Sequence, residues 1–171
     1  MPAEIERVFL LSAMPAPMPA GEAWRIEQGY LPSARHGGTA APEGILEGRL
    51  RRIERPDGHV EFVHTLKRGV GLVREEVERT MDAAEFAREW SRTAGARLRK
   101  ERHRVPHGDR NWEVDRFLDL PLVLAECELP SADAPLEVPP WLAPFVVREV
   151  TEEPEYRNFA LARQAGLLRG Q

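Results

Sequence analysis

Hydrophobic and polar residues alternate along most of this chain in short stretches, which Gly, Pro and Asp clusters separate. Alternation at every second residue predicts β-strands with one apolar and one polar face. Two further segments carry helix signals, since residues 82–94 begin with Asp82 as a cap followed by Glu85, and residues 155–168 follow Pro154. Many strands with few helices predict an α+β fold. The predicted strands span residues 4–11, 24–31, 44–53, 60–67, 72–80, 98–105, 112–118 and 122–129.

Two short segments between predicted strands have the composition of tight turns. Residues 56–58 (Pro-Asp-Gly) join the third strand to the fourth, and residues 107–109 (His-Gly-Asp) join the sixth to the seventh. Pro presets the first dihedral angle of a turn, and Gly accepts the positive φ that many turns require. Both segments therefore predict hairpins between neighbouring antiparallel strands.

Charged residues recur at every second position in several of these strands, where residues two apart share a face. Glu4 and Glu6 lie on the face opposite Ile5, and Glu126 and Glu128 interrupt a run that is otherwise apolar. One interpretation is an ordinary antiparallel sheet that exposes one face to water. The charged positions on these faces are Glu4, Glu6, Glu76, Glu78, Glu113, Asp115, Glu126 and Glu128 among the acids, and Arg49, Arg51, Lys67, Arg74, Lys100 and Arg102 among the bases.

The second interpretation is that the sheet closes on itself and that the charged faces line a water-filled interior. A dry interior is unfavourable, because each unpaired buried ion costs several kcal/mol. Small barrels can leave room for one small ligand. In such a tunnel, basic side chains would bind phosphate oxygens, and clustered carboxylates would hold a hard cation such as Mg²⁺ or Mn²⁺. The whole set of charges favours a closed antiparallel β-barrel of about eight strands, with flanking helices over its apolar outer face.

Composition narrows the functional classes. The chain has 171 residues, with 24 basic and 28 acidic side chains and a net charge of -4, so we expect one domain over residues 1–171 that does not bind nucleic acid. No apolar run approaches the roughly 20 residues that span a bilayer, so we expect no membrane partner. Cys127 is the only cysteine and the first residues do not resemble a signal peptide, which predicts a cytoplasmic protein. The sequence does not separate a monomer from a homodimer.

Short motifs in these strands follow one another over nearly the whole chain. They are Glu4-Ile5-Glu6-Arg7, residues 25–31 (Arg-Ile-Glu-Gln-Gly-Tyr-Leu), Arg49-Leu50-Arg51, Thr65-Leu66-Lys67, residues 74–78, Lys100-Glu101-Arg102, residues 112–115, residues 125–129, Val150-Thr151, Tyr156 and Asn158. As a series they resemble the CYTH family, or triphosphate tunnel metalloenzymes. That family includes bacterial inorganic triphosphatases, thiamine triphosphatases and class IV adenylate cyclases. The first motif is similar to the family's Glu-x-Glu-x-Lys signature.

The resemblance implies an enzyme that uses Mg²⁺ or Mn²⁺ to hydrolyse inorganic triphosphate or a related small triphosphorylated compound inside the tunnel. It implies phosphate contacts from Arg49, Arg51, Lys67, Arg74, Lys100 and Arg102, and metal ligands from Glu4, Glu6, Glu126 and Glu128. Glu4, Glu6, Glu76 and Glu78 would be the catalytic residues, with Glu76 and Glu78 as candidates to orient the attacking water. Glu113 and Asp115 would complete the acidic lining. Such hydrolysis needs neutralised charge and a positioned water, without a covalent nucleophile.

One position departs from the family pattern, because Val8 stands where the signature has lysine. Alternation places Val8 on the face of Glu4 and Glu6, whereas Arg7 points outward and does not replace the missing cation. Two alternatives therefore stay open. One is an enzyme similar to the class IV adenylate cyclases, and the other is a non-catalytic module that binds polyphosphate or a nucleoside triphosphate.

Overall fold

Nine β-strands and two α-helices make up a computed structural model of the chain, which describes residues 3–32, 47–69 and 71–170. Residues 44–46 of the third predicted strand lie outside the described residues. The helices are α1 (Ala83–Trp90) and α2 (Asn158–Arg169). The strands are β1 (Ala3–Leu11), β2 (Glu22–Tyr30), β3 (Glu47–Glu54), β4 (Val60–Arg68), β5 (Val73–Met81), β6 (Arg97–His107), β7 (Arg110–Phe117), β8 (Val123–Glu128) and β9 (Val146–Glu149).

Eight of these strands close into an antiparallel barrel. The order is β5, β4, β3, β2, β6, β7, β8 and β1, and β1 then returns to pair with β5. Closure leaves no unpaired edge in the ring. The prediction of an α+β fold built on a closed antiparallel barrel is confirmed. The sequence pattern did not predict β9, which pairs with β1 outside the ring, because its four residues show no alternation of apolar and polar types.

Both predicted turns form hairpins around a glycine with positive φ. Gly58 has a φ of 85°, and its backbone N–H donates to the carbonyl oxygen of Arg55 at 2.9 Å. Gly108 has a φ of 63° and lies between His107 and Arg110, which face each other across the β6–β7 ladder. These turns fix the register in which charged residues of neighbouring strands meet.

The ladder register places the charged side chains inside the barrel. Residues directly opposite each other in an antiparallel pair point to the same side. Glu6 is opposite Glu128, Glu113 is opposite Glu126, and Arg102 is opposite Asp115. Several outward-pointing residues of the same strands are apolar and buried under other segments of the chain: Phe9, Trp112, Val114, Ala125 and Cys127. The charged faces therefore line a closed interior, as the tunnel interpretation predicted, and they do not form the exposed face of an open sheet.

Helix α1 covers part of the outer face of the barrel. Its cap is Asp82, whose Oδ1 accepts a hydrogen bond from the backbone N–H of Glu85 at 2.7 Å, as the sequence predicted. Phe86 of this helix packs with the outward-facing Leu50 and Met81. Within the described residues, no helix is long and apolar enough to cross a membrane.

Helix α2 lies elsewhere and closes one end of the barrel interior. Its buried residues Leu161 and Ala162 pack against Leu98 and Leu124. Leu98 and Leu124 point inward, because each is two residues from a tunnel charge on the same strand. The expectation that both helices cover the outer face was wrong for α2, since the interior of this end is apolar and needs an apolar cover.

Candidate functional site

A cavity of about 600 Å³ occupies the charged part of the barrel interior. Its lining includes Arg110 from the β6–β7 hairpin and Gly71 from the β4–β5 connection. Strand direction reverses at each step of the order β4, β3, β2 and β6, so these two connections lie at opposite ends of the barrel. The cavity therefore extends between the two ends, and its size suits one small molecule.

Most of the predicted site residues meet in this cavity. Lys100 and Asp115 do not line it, because they lie buried beneath its wall, where Lys100 Nζ is 2.7 Å from Asp115 Oδ2 and 2.9 Å from Asn158 Oδ1. Both hydrogen bonds of Lys100 are thus made within the protein and not across the cavity. The predicted residues that line the cavity are Glu4, Glu6, Arg49, Arg51, Lys67, Arg74, Glu76, Glu78, Arg102, Glu113, Glu126 and Glu128.

Arg102 is held by acidic side chains of two neighbouring strands. Its Nε lies 2.7 Å from Asp115 Oδ1, its Nη2 lies 3.1 Å from Glu126 Oε2, and its Nη1 contacts Glu113. Burial alone would raise the pKa of Asp115, but the charges of Arg102 and Lys100 outweigh burial and hold it at about 2. The positive charge of Arg102 is therefore compensated by the protein.

Lys67 lies between two of the predicted catalytic carboxylates. Its Nζ is 2.5 Å from Glu4 Oε2 and 2.9 Å from Glu76 Oε2, although the three residues come from β1, β4 and β5. Glu78, two residues after Glu76, accepts hydrogen bonds from Arg51 Nη2 at 2.8 Å and Thr65 Oγ1 at 3.0 Å. The two hydrogen bonds fix the orientation of the Glu78 carboxylate, whereas Glu76 is held by its ion pair with Lys67 alone among the described residues.

Arg49 and Arg51 carry two positive charges, and among the described residues only Arg51 has a carboxylate partner, Glu78 at 2.8 Å. Within the described ranges Arg49 has no carboxylate partner, and its one side-chain hydrogen bond goes to Thr65 Oγ1 at 3.5 Å. The Nε atoms of both guanidinium groups are buried, and no described residue accepts a hydrogen bond from them. Burial, together with the neighbouring Arg49 charge, lowers the pKa of Arg51 to about 10. An anion in the cavity would supply the missing negative charge and hydrogen-bond acceptors.

Glu6 and Glu126 are two neighbouring carboxyl groups of the cavity wall that repel each other when both are ionised. Burial, and then the nearby charge of Glu126, raise the pKa of Glu6 to about 8. Among the described residues Glu6 has no ion-pair partner, and no three His, Cys, Asp or Glu side chains converge as a preformed metal shell. A hard divalent ion fits such a donor set, because Mg²⁺ is usually held by one or two carboxylates while substrate phosphates and water complete its coordination. Glu4 and Glu128 flank the pair on β1 and β8.

The orientations predicted for Arg7 and Val8 agree with the structure. Arg7 points outward and forms two hydrogen bonds with the Glu149 carboxylate, at 2.8 and 2.7 Å. Val8 lines the cavity and is opposite Glu126 in the β1–β8 ladder. Arg102 of β6 reaches Glu126 of β8 across β7, at 3.1 Å, so a cation already contacts this carboxylate.

Several cavity residues were not predicted. Glu47 shares its face with Arg49, and Arg104 shares its face with Arg102, so the same alternation continued by one step could have found both. Trp24 lies at the wall with the Arg55 guanidinium 3.7 Å from its ring centre. Arg157 comes from the turn before α2, where strand periodicity offers no signal.

A closed antiparallel barrel with a charge-lined interior defines a CYTH-like protein, and comparisons with known proteins narrow this class. No family model matches the chain. The inorganic triphosphatase of Nitrosomonas europaea is 37% identical over 167 residues, which cover 93% of this chain and 96% of that protein. The crystal structure of the inorganic triphosphatase NE1496 matches with a TM-score of 0.58 at 34% identity, over 94% of this chain and 97% of that chain.

The chain belongs to the inorganic triphosphatase family, since identity of this level extends over nearly the full length of both proteins. The PH1819 protein from Pyrococcus horikoshii OT3 has the same fold, with a TM-score of 0.56 at 14% identity over 76% of this chain and 80% of that chain. The CYTH-like resemblance read from the sequence motifs is confirmed at the level of family and fold.

Proposed function

We propose that this protein hydrolyses inorganic triphosphate, or a related small triphosphorylated compound, inside the barrel. The observation that carries the proposal is the buried pair Arg49 and Arg51. Among the described residues their two charges meet one carboxylate partner, Glu78, and their Nε atoms have no hydrogen-bond partner. A linear triphosphate is a compact polyanion that can accept hydrogen bonds from both guanidinium groups at once. Membership of the inorganic triphosphatase family supports the same substrate class.

The remaining bases of the cavity would share in binding the substrate. Lys67 and Arg74 each face a carboxylate at 2.9 Å or less, so their charge is partly compensated. We expect them to position the phosphate chain, while Arg49 and Arg51 contribute most of the electrostatic attraction. Lys100 would act indirectly, through its contacts with Asp115 and Asn158 beneath the wall.

A divalent cation, Mg²⁺ or Mn²⁺, is the proposed cofactor, and Glu6 and Glu126 would hold it with Glu4 and Glu128 nearby. When bound, such an ion neutralises developing charge on the transferred phosphoryl group and its leaving group. Glu76 and Glu78 would orient the attacking water, because both carboxylates line the cavity and Glu78 is held there by two hydrogen bonds. No protein nucleophile is needed for this reaction.

The test is a measurement of phosphate release from inorganic triphosphate and from ATP by the purified chain. We expect release from triphosphate with Mg²⁺ or Mn²⁺, and none after metal removal with EDTA. Formation of a cyclic nucleotide from ATP would instead indicate a cyclase. Thermal stabilisation by triphosphate without turnover would indicate a binding module, and would contradict the proposed hydrolysis.

Val8 is the observation that favours the binding module as a second candidate, because it replaces the lysine of the family signature. We expect Val8→Lys to raise kcat for triphosphate by about 10-fold, since it adds a cation on the tunnel face beside Glu126. Val8→Met is the matched control, because it lengthens the side chain without charge. An unchanged kcat in Val8→Lys would show that the cations already present, such as Arg102, are sufficient.

For compartment and assembly, we propose a cytoplasmic monomer or homodimer whose partner is a small triphosphorylated substrate. The single cysteine suits a reducing compartment, and a net charge of -4 does not suit a nucleic-acid partner or an anionic membrane surface. Light scattering on the purified chain would measure its assembly state directly.

A further inference from the structure

Arg157 brings a positive charge into the tunnel from outside the barrel strands. It follows a short 3₁₀ turn, Pro154–Tyr156, and precedes the first residue of α2. Its side chain is 18% exposed and lines the cavity at the end where β4 connects to β5. Nothing in the strand pattern points to this residue, because the segment that carries it contributes no strand to the barrel.

Arg157 and Arg74 converge on one buried carboxylate. Glu47, whose side chain is 3% exposed, accepts from Arg74 Nη2 at 2.9 Å through Oε2 and from Arg157 Nη2 at 2.5 Å through Oε1. The same two guanidinium groups also face the carbonyl oxygen of Gly69, at 3.2 Å from Arg74 Nε and 3.4 Å from Arg157 Nη2. Glu47 therefore holds the two arginines side by side at this end of the tunnel.

Within the part of the chain that the structure describes, this cluster has two positive charges and one negative charge, so one positive charge has no counter-ion of its own. The Nε of Arg157 is also buried without a hydrogen-bond partner among the described residues. Burial lowers the pKa of Arg157, and the positive charge of Arg74 lowers it further. The negative charge of Glu47 raises this pKa but does not outweigh the other two effects. A phosphoryl group, with several oxygens and negative charge, would satisfy both arginines.

We propose that Arg74 and Arg157 form an anion subsite that binds one terminal phosphoryl group of the substrate. Arg157 is then a substrate-binding residue supplied by the C-terminal segment, and Glu47 positions both guanidinium groups. The proposal rests on the proposed function, since the ligand is the end of the same triphosphate that Arg49 and Arg51 contact. It adds a second point of attachment, which would fix where the phosphate chain ends in the tunnel.

The test compares Arg157→Gln, Arg157→Lys and the matched control Arg163→Gln, which changes an exposed arginine of α2. We expect Arg157→Gln to raise KM for triphosphate about 10-fold with kcat within about 2-fold, because ground-state binding is lost. Arg157→Lys should recover part of that loss, since it keeps the charge without the two-pronged geometry. Arg163→Gln should match the wild-type protein.

Thermal denaturation without substrate separates binding from folding. An unchanged KM in Arg157→Gln would overturn the proposal. So would a KM increase that comes with a lower Tm in the absence of substrate and is not relieved by Arg157→Lys, because that combination describes a purely structural arginine.

If the wild-type protein releases no phosphate, the proposed function fails, yet the subsite is still tested. In that case the rise in Tm caused by pyrophosphate should be smaller in Arg157→Gln than in Arg163→Gln, and an equal rise would refute the subsite.

Discussion

Replacing Arg102 with Ala is expected to lower the free energy of unfolding by about 3–5 kcal/mol. Arg102 makes two hydrogen bonds to Asp115, at 2.7 and 2.8 Å, and also contacts Glu113 and Glu126. Asp115 is fully buried, so the change leaves a carboxylate with little access to water and only Lys100 to balance it. Loss of one partner from a buried ion network is far more costly than loss of a surface ion pair.

Urea denaturation at neutral pH would measure this loss, with Arg116→Ala as the control. Arg116 lies next to Asp115 on β7 but points outward, where it pairs with Glu101 at 2.6 Å and its side chain is 48% exposed. We expect the control to change the free energy of unfolding by less than about 1 kcal/mol. Equal stability of the two variants would contradict a structural role for the Arg102 network. Triphosphate hydrolysis should also fall sharply in Arg102→Ala, because Glu126 loses the contact that positions it.

Strand alternation predicted most of the barrel because each strand carries its own signal. A charge at one position and an apolar residue at the next, as in Arg49, Leu50 and Arg51, shows the direction of each side chain without knowledge of the neighbours. The helix α2 shows the limit of this reasoning. Its apolar residues Leu161 and Ala165 indicate a buried face, but local sequence does not show whether that face meets the outside of the barrel or its interior.

Pairing within the site could not be predicted from the same pattern. Lys100 and Arg51 look equivalent in the sequence, since each lies on a strand face with a second basic residue. They differ because Lys100 contacts the buried Asp115 and Asn158, whereas Arg51 lies beside Arg49 and pairs with the partly exposed Glu78. Such contacts join residues far apart in the chain and depend on how the strands are staggered around the ring. That difference separates the structural cations from those available to a substrate.

Arg51→Met is expected to leave the stability of the substrate-free protein unchanged or to raise it, while it reduces kcat/KM for triphosphate by roughly 10²–10³-fold. The pKa of Arg51 is lowered to about 10 in the folded protein, so the folded state disfavours its charge relative to the unfolded state. At neutral pH this charge therefore destabilises the fold, and its removal relieves that effect. Glu78, which pairs with Arg51, has a side chain that is 43% exposed and still accepts from Thr65, so it tolerates the loss.

The control is Arg52→Met, because Arg52 is the next residue on β3, points outward and pairs with Glu54 at 3.0 Å. Differential scanning calorimetry with and without triphosphate would measure both effects. The rise in Tm caused by triphosphate should disappear in Arg51→Met and persist in Arg52→Met. A binding cation and a structural cation therefore differ in the sign of their effect on the substrate-free protein. If Arg51→Met destabilised the substrate-free chain as strongly as Arg102→Ala, Arg51 would be structural, and the excess positive charge of the Arg49 and Arg51 pair would not be the basis of triphosphate binding.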